Sequence, residues 1–147
     1  MTTRRSFLLT LGAGLLGAPS VVRAQPAPGK VRKIGFLGLT TAAGTARQGE
    51  AFRGGLKDFG YIEGKNVIIE YRWADGAAER LPQLAAELLR EKVEVIVTYG
   101  GAGVRAAHGA TTTVPIVIAS LGSDPVSMGL VKSLARPGGN ITGLLSL

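Results

Sequence analysis

The chain has 147 residues, which is enough for one compact domain with a hydrophobic core and too few for two domains of ordinary size. It contains no cysteine, which excludes disulfides, thiolate metal sites and a cysteine nucleophile. Its formal net charge is +7, but the basic residues are scattered and have few aromatic residues among them, so the composition gives no reason to expect nucleic-acid binding.

The first 24 residues have the pattern of an export signal. Paired Arg4 and Arg5 precede an apolar stretch that is diluted by three glycines, which favours the twin-arginine route. That stretch, residues 7–18, has 12 residues, fewer than the ~20 that a membrane-spanning helix needs. Small side chains before Gln25 predict cleavage after Ala24. Because the segment carries three arginines and no acid, its removal leaves a net charge of +4.

A short leader, residues 25–32, follows the predicted signal peptide. It begins with the sequence QPAPG, which predicts a segment without regular structure. Since the chain has no cysteine, no lipid can be attached at the new N-terminus. We therefore predict a soluble exported protein, and the periplasm is the simplest compartment that would retain it.

Short apolar runs along the rest of the chain predict β-strands. The runs are bounded by turn residues, and the run at residues 67–73 alternates apolar and polar side chains as a strand near a sheet edge does. The predicted strands cover residues 33–39, 67–73, 93–99, 114–119 and 141–147.

Stretches with helical spacing lie between these runs, at residues 46–59, 81–89, 100–110 and 126–134. In the first of them, Phe52, Leu56 and Phe59 share one face, and Gly60 supplies a left-handed stop. In the second, apolar residues recur at i, i+3, i+4, i+7 and i+8, with Pro82 placed where a first helical turn tolerates it.

The order of the predicted elements is βαβαβαβαβ. This order is typical of a doubly wound α/β fold, in which a parallel five-stranded sheet carries helices on both faces. Residues 135–140 predict the tight turn that leads into the last strand. We therefore expect one domain over residues 33–147.

Three loops at the carboxyl ends of the predicted strands are candidates for a binding site. Residues 39–42, 98–103 and 120–125 are rich in Gly, Ser and Thr. Ligands of open parallel sheets bind beyond the carboxyl ends of the strands, and free backbone N–H groups with small hydroxyls suit a carboxylate or another anion.

Each of these residues also has a purely structural interpretation. The glycines of GGAG, residues 100–103, could make a close strand-to-helix turn, and the segment lacks the lysine and the spacing of a nucleotide loop. The loop hydroxyls could be helix caps. Asp124 could contact a ligand amine or cap the next helix, and Tyr99 and Trp73 could stack on a ligand or pack under a loop. The sequence leaves these alternatives open.

No pattern of catalytic residues emerges. His108, the one histidine, falls in the middle of a predicted helix without an obvious carboxylate or nucleophile, so a solvated surface position is favoured. We predict no catalytic residue, no metal ligand and no cofactor, and we do not expect an enzyme.

Two longer stretches carry a family resemblance. The sequences AFRGGLKDFGYIEGKNVIIEYRWADGAAERLPQLAAELL and VPIVIASLGSDPVSMGLVKSLARPGGNITG resemble the periplasmic substrate-binding proteins of ABC importers, in the group that includes tryptophan- and tyrosine-type binders. The similarity runs from about Lys33 to Leu147. It implies one lobe of a type I periplasmic-binding fold, a small-molecule solute, an ABC permease as partner, and no hydrolysis by the protein itself.

The resemblance also implies that the three loops form one jaw of a solute-binding cleft. It favours solute contacts at Thr40, Thr41, Tyr99, Gly101, Gly103, Ser123 and Asp124. The resemblance implies a second lobe of similar size in family members, and we expect the chain up to Leu147 to comprise the first lobe only. We therefore expect the chain alone to bind solute weakly or not at all, and to associate through exposed apolar side chains at Leu144, Leu145 and Leu147.

Two other functions remain open from the sequence. A free-standing flavodoxin-like enzyme or nucleotide binder needs only five parallel strands, although residues 39–45 offer just a partial, lysine-free phosphate loop. A periplasmic sensor or adaptor would share the same export signal and fold. The sequence does not name the solute; the resemblance suggests an aromatic amino acid, while similar folds hold sugars and amides.

Overall fold

The computed structural model describes residues 29–146. The predicted signal peptide, residues 25–28 of the leader and Leu147 lie outside the described residues. Within residues 29–146, no helix has the length and apolar character that a membrane span requires.

The described residues form five strands and three α-helices. The strands are β1 (Arg32–Gly38), β2 (Val67–Trp73), β3 (Val95–Tyr99), β4 (Ile116–Ser120) and β5 (Ile141–Gly143). The helices are α1 (Ala46–Asp58), α2 (Leu81–Arg90) and α3 (Gly100–Ala110), and short 3-10 turns precede α1 and α2 at Ala43–Thr45 and Ala78–Arg80.

The strands form one parallel sheet in the order β2-β1-β3-β4-β5. This confirms the doubly wound α/β fold, and β2 lies at the sheet edge as its alternating sequence predicts. Phe36 in β1 pairs with Tyr71 on one side and Val97 on the other, which sets the register of the three strands. The carboxyl ends of the strands therefore lie along one side of the sheet, called here the carboxyl edge.

One face of the sheet is closed by α2 and α3. The predicted stripe of α2 is confirmed, because Leu81, Leu84, Ala85 and Leu88 are all buried there. They pack with α3 against the inward side chains of β1, β3, β4 and β5 in a single aliphatic cluster. Helices normally cover both faces of a parallel sheet. In this protein the face under α2 and α3, called here the closed face, holds the larger part of the core.

The opposite face, called here the open face, is covered by α1 alone. Phe52 and Leu56 of α1 pack over β1, β2 and the start of β3. Beyond α1, an open groove of about 820 Å³ runs over β3, β4 and β5. Its floor includes Val97 and Val117, and its far wall is formed by Leu144, which is 70% exposed.

The helix predicted at residues 126–134 does not form. The chain makes a single turn instead, in which Met128 donates to the Asp124 carbonyl and Leu130 donates to the Pro125 carbonyl. Gly129 then adopts the left-handed region with φ +70°, which ends the turn because the helical φ is lost there. Residues 121–140 therefore connect β4 to β5 without a fourth helix.

Several predictions about the ends of elements are also wrong. The last strand stops at Gly143 rather than at residue 147, because Gly143 has φ +148° and the chain leaves the ladder there. Phe59, expected on the buried face of α1, is 71% exposed because the helix ends at Asp58 and turns through Gly60, whose φ is +85°. Strands β3 and β4 each begin two residues later than predicted.

Candidate functional site

The loop after β1 is tied to its neighbours at the carboxyl edge. The Thr40 hydroxyl lies 3.0 Å from the Tyr99 hydroxyl, so the loops that follow β1 and β3 meet at these two side chains. On the other side, Gly76 donates to the Leu39 carbonyl at 2.7 Å and Asp75 donates to the Thr40 carbonyl at 3.3 Å. The site therefore draws on three adjacent strands, β2, β1 and β3.

Aromatic side chains from these strands cluster beneath the loops. Phe36 lies at the centre, with ring centroids 5.3 Å from Trp73, 6.2 Å from Tyr99 and 5.6 Å from Phe52. Trp73 is also stacked on Tyr71, at 6.0 Å with an interplanar angle of 12°. Because Trp73 and Tyr99 are half-buried, the upper end of this cluster is open to solvent.

Thr41 opens the short turn that leads into α1. Its hydroxyl oxygen accepts a hydrogen bond from the Gly44 N–H at 3.0 Å, and its carbonyl accepts one from the Thr45 hydroxyl at 3.1 Å. The Thr41 side chain is exposed, and its hydroxyl proton remains available to donate. The structural and ligand-binding interpretations of this residue are therefore compatible.

The glycines at the start of α3 allow close packing. Gly100 has φ +67°, a conformation that favours glycine. Gly101 lies under the Met128 side chain, whose Cε would be 3.0 Å from a Cβ at this position. Gly103 is buried against Thr98, and a Cβ there would collide with the Thr98 hydroxyl. Packing alone accounts for glycine at position 103, and its solute contact stays a prediction.

The loop after β4 reaches towards the same helix start. Asp124 accepts hydrogen bonds from the backbone N–H groups of Val126 and Ser127, both at 3.1 Å, so its carboxylate caps the turn that replaces the predicted helix. Ser123 is exposed. Met128, whose N–H bonds to the Asp124 carbonyl, covers Gly101 and so joins this loop to α3.

The sequence-predicted residues therefore lie in two groups along one edge. Thr40, Thr41 and Tyr99 form the first group around the end of β1. Gly101, Ser123 and Asp124 lie in the second, at the start of α3 and the loop after β4. Sequence reasoning missed Gly38, which lies against Trp73 at this edge. It placed Thr98 in a candidate loop but not its structural role: Thr98 is fully buried and donates to the Leu37 carbonyl at 2.9 Å.

The ionisable groups whose pKa values are shifted, Glu94 and Arg53, lie away from these loops. The Arg32 guanidinium, 2.8 Å from the Glu94 carboxylate at the opposite end of the sheet, lowers the pKa of Glu94. A hydrogen bond to the Tyr71 hydroxyl raises the pKa of Arg53 on α1. Within residues 29–146, no group of three or more His, Asp or Glu residues has the placement of a metal site. The edge offers hydroxyls, backbone N–H groups and aromatic rings, which are groups that can contact a small molecule.

Comparison with known proteins gives a consistent result. A family model described as ABC transporter substrate binding protein matches residues 39–146. A protein named tyrosine-binding protein, from Clostridioides difficile, is 32% identical over 114 residues, which are 78% of this chain and 33% of that protein.

Three solved structures share this fold. A ligand-free, open substrate-binding protein with adhesive properties from Clostridium difficile aligns with a TM-score of 0.70 and 30% identity, over 77% of this chain and 38% of that one. An ABC domain in complex with L-Trp from Streptococcus pneumonia gives a TM-score of 0.72 and 25% identity, over 79% and 39%.

A conserved domain protein from Vibrio cholerae gives a TM-score of 0.72 and 37% identity, over 80% of this chain and 40% of that one. The chain thus spans about a third of the curated relative and about two fifths of each solved structure. The matched parts include the carboxyl edge and the loops after β1, β3 and β4.

Proposed function

This chain belongs to the ABC transporter substrate-binding protein family, and on that premise we propose that it provides one wall of the solute site of an ABC importer's binding protein. The observation that carries this proposal is the Thr40–Tyr99 contact, which brings the loops after β1 and β3 together at the carboxyl edge. In open parallel sheets this edge is where ligands bind.

The solute that this edge suits is an amino acid. A carboxylate would be held by the loop hydroxyls and by the backbone N–H groups at the start of α3, where the helix dipole favours negative charge. The relative named tyrosine-binding protein and the solved domain in complex with L-Trp support the same class. In this proposal Thr41, Gly101, Ser123 and Asp124 face the solute, and the protein performs no chemistry on it.

We propose that the protein is localised in the periplasm. The twin-arginine pattern and the expected cleavage after Ala24 support export, and a permease of the inner membrane would receive the solute. The carboxyl edge would face the solute, while the β1 end that follows the leader lies at the opposite side of the sheet. Export of a fusion between residues 1–30 and a reporter, abolished by Arg4→Lys with Arg5→Lys, would test this part directly.

Ligand-detected NMR with a panel of amino acids tests the binding function. We expect weak, saturable binding in the millimolar range, because the described residues contact a ligand from one side and leave the rest of it in water. Thr41→Val should weaken binding severalfold, whereas Thr112→Val, the same change in an exposed loop between α3 and β4, should leave it unaltered. Circular dichroism checks that both variants keep the fold.

Two results would overturn the proposal. One is the absence of saturable binding of any amino acid by the folded protein. The other is tight binding of a flavin or of ATP, which would support a nucleotide-binding domain of the flavodoxin type instead.

A further inference from the structure

We propose that the end of the sheet opposite the carboxyl edge is a docking surface for an anionic phospholipid membrane. This surface, called here the basic end, comprises residues 29–33, 57–68 and 90–95, which hold the starts of β1, β2 and β3 and the C-terminal ends of α1 and α2. The inference goes beyond the proposed function, because docking on a membrane depends neither on the solute nor on its site.

Positive charge is concentrated at the basic end. Its residues include seven cations and four acids, a net charge of +3, whereas all the other described residues together have seven cations and six acids, a net charge of +1. Lys30, Arg32 and Lys33 are paired with carboxylates. The other four cations of the basic end are exposed and form no ion pair within residues 29–146: Lys57, Lys65, Arg90 and Lys92. These four charges are therefore available to an anionic partner.

Exposed apolar side chains lie among these cations. Four of the seven large apolar side chains that are exposed in the described part of the chain belong to the basic end: Val31, Phe59, Ile62 and Ile68. Phe59 has 71% of its surface in solvent and follows Lys57 by two residues. Apolar side chains interleaved with cations suit the surface of an anionic bilayer, because the former enter the headgroup region while the latter approach the phosphates.

The turn that displays Phe59 and Ile62 is closed by its own hydrogen bonds. The Asn66 side-chain amide donates to the Gly60 carbonyl at 2.8 Å, and its oxygen accepts from the Ile62 N–H at 2.7 Å. The Lys65 N–H donates to the Ile62 carbonyl at 3.0 Å. The turn therefore keeps its shape while both apolar side chains project into solvent, so docking orders little of the chain.

The place of the basic end in the chain favours a membrane over an acidic protein as the partner. β1 begins at Arg32, so the leader enters the fold at this end. In the export proposed above, residues 25–31 join the signal peptide to β1, and seven extended residues span at most about 25 Å. The basic end would therefore lie next to the bilayer until cleavage. Docking by this end turns the carboxyl edge away from the membrane, towards incoming solute.

Sedimentation with lipid vesicles tests the docking surface. The chain from Gln25 onward is the form to use, because every described element lies within it and because the basic, apolar residues 1–24 would bind anionic lipid themselves. Circular dichroism checks that it is folded. We expect binding to mixed vesicles of phosphatidylcholine and phosphatidylglycerol to rise with the phosphatidylglycerol fraction and to be absent with phosphatidylcholine alone. Added salt should weaken the binding, because ions screen exposed charges.

Paired charge variants locate the surface. Lys57→Gln combined with Lys65→Gln should weaken binding to the mixed vesicles about tenfold or more, since each cation near an anionic surface contributes about fivefold. Arg47→Gln combined with Arg105→Gln is the matched control, because it removes two exposed charges that lie outside the basic end. The control should change the binding by less than about twofold, because charges beyond a Debye length from the lipid are screened.

Phe59→Ser tests the apolar part of the surface. It should weaken binding to the same vesicles severalfold, because the ring no longer enters the headgroup region. Leu144→Ser is its control, since Leu144 is 70% exposed and follows the carboxyl end of β5. This control should keep the affinity of the wild-type chain.

The outcomes keep this inference separate from the proposed function. Failure of the folded chain to sediment with phosphatidylglycerol vesicles, or equal losses in the two double variants, would overturn the docking surface. Binding to soluble polyglutamate without binding to vesicles would overturn it as well and would assign the basic end to an acidic protein. Solute binding is measured without lipid, so none of these results decides it.

Discussion

The two faces of the sheet are built in different ways. The closed face buries aliphatic side chains under α2 and α3, and many of them, such as Leu37, Leu88 and Ile96, are fully inaccessible to solvent. The open face is aromatic, is covered by α1 alone, and leaves β4 and β5 facing a groove. We therefore expect the closed face to supply most of the stability, whereas the proposed function uses the carboxyl edge as the binding surface.

The largest expected effect comes from the same substitution, Leu→Ala, made once on each face of the sheet. Leu88→Ala in α2 should lower the free energy of unfolding by about 3 kcal/mol, because it leaves a cavity in a fully buried cluster. Leu56→Ala in α1 changes the same side chain in another helix, but Leu56 is half-buried on the open face, so we expect a loss of about 1 kcal/mol. Urea denaturation measures both values. Equal losses would contradict the comparison.

A second pair of variants adds a methyl group instead of removing atoms. Gly35 faces the closed core, and a Cβ there would lie 3.1 Å from Leu88 and 3.3 Å from Val93. Gly35→Ala should therefore destabilise the protein by about 1–2 kcal/mol. Gly54, within α1, has open space where the methyl group would lie, so Gly54→Ala should stabilise it by about 0.5–1 kcal/mol. Thermal unfolding should show shifts of opposite sign.

Self-association should depend on the open face. The groove and the exposed Leu144 present apolar surface that a second copy of the chain could bury. The association predicted through the C-terminal segment depends on burial of this apolar surface. Leu144→Lys should weaken association by about 1 kcal/mol, or about fivefold in the dissociation constant. Leu134→Lys is the control, because Leu134 is also exposed and lies outside the groove. Sedimentation analysis that finds a monomer at every concentration would contradict this prediction.

The smallest effect concerns an ion pair at the amino ends of the strands, which belongs to neither face. Arg32 holds the pKa of Glu94 below its ordinary value of 4.5, so the carboxylate stabilises the folded state at pH values above 4.5. That contribution is lost as the pH falls through the lowered pKa. Because both side chains are more than a third exposed, Glu94→Gln should cost less than about 1 kcal/mol at pH 7.

Denaturation of wild type and Glu94→Gln across a range of pH provides the measurement. The difference between the two proteins should be constant from neutral pH down to about 5 and should vanish in acid. Glu79→Gln, a change at an exposed acid before α2, should produce no comparable pH dependence. A difference that grows in acid would show that another group is responsible.

The sequence predicted the regular part of the fold well because that part follows local rules. The stripe of α2, the short β-branched runs and the alternating pattern of β2 each depend on periodicity and burial, which a parallel sheet imposes directly on the sequence. Residues 126–134 had apolar residues at suitable spacing, yet they form a single turn. Asp124 caps the start of this turn, and the positive φ of Gly129 ends it before a helix can continue.

The candidate site was predictable in its location and less so in its detail. The loops at the strand ends were recognised from Gly, Ser and Thr, because the carboxyl edge of a parallel sheet places such loops together. The contact between Thr40 and Tyr99 joins residues that are 59 positions apart, and it depends on the register of β1 and β3. In the sequence Gly38 resembles any other strand residue, and only the fold shows that the ring of Trp73 lies against it.

The sequence by itself determined the class of fold, the number of strands and their order along the chain, and it indicated the carboxyl edge as the candidate site. The fold class and the strands follow from hydrophobic periodicity, which can be read from consecutive residues. The candidate edge follows from the loops at the carboxyl ends of the strands. Only the tertiary structure decided which face is closed, which glycines are required by packing, and which side chains at the edge meet. Those properties depend on side chains that are distant in the chain and that come within contact distance only when the sheet register is set.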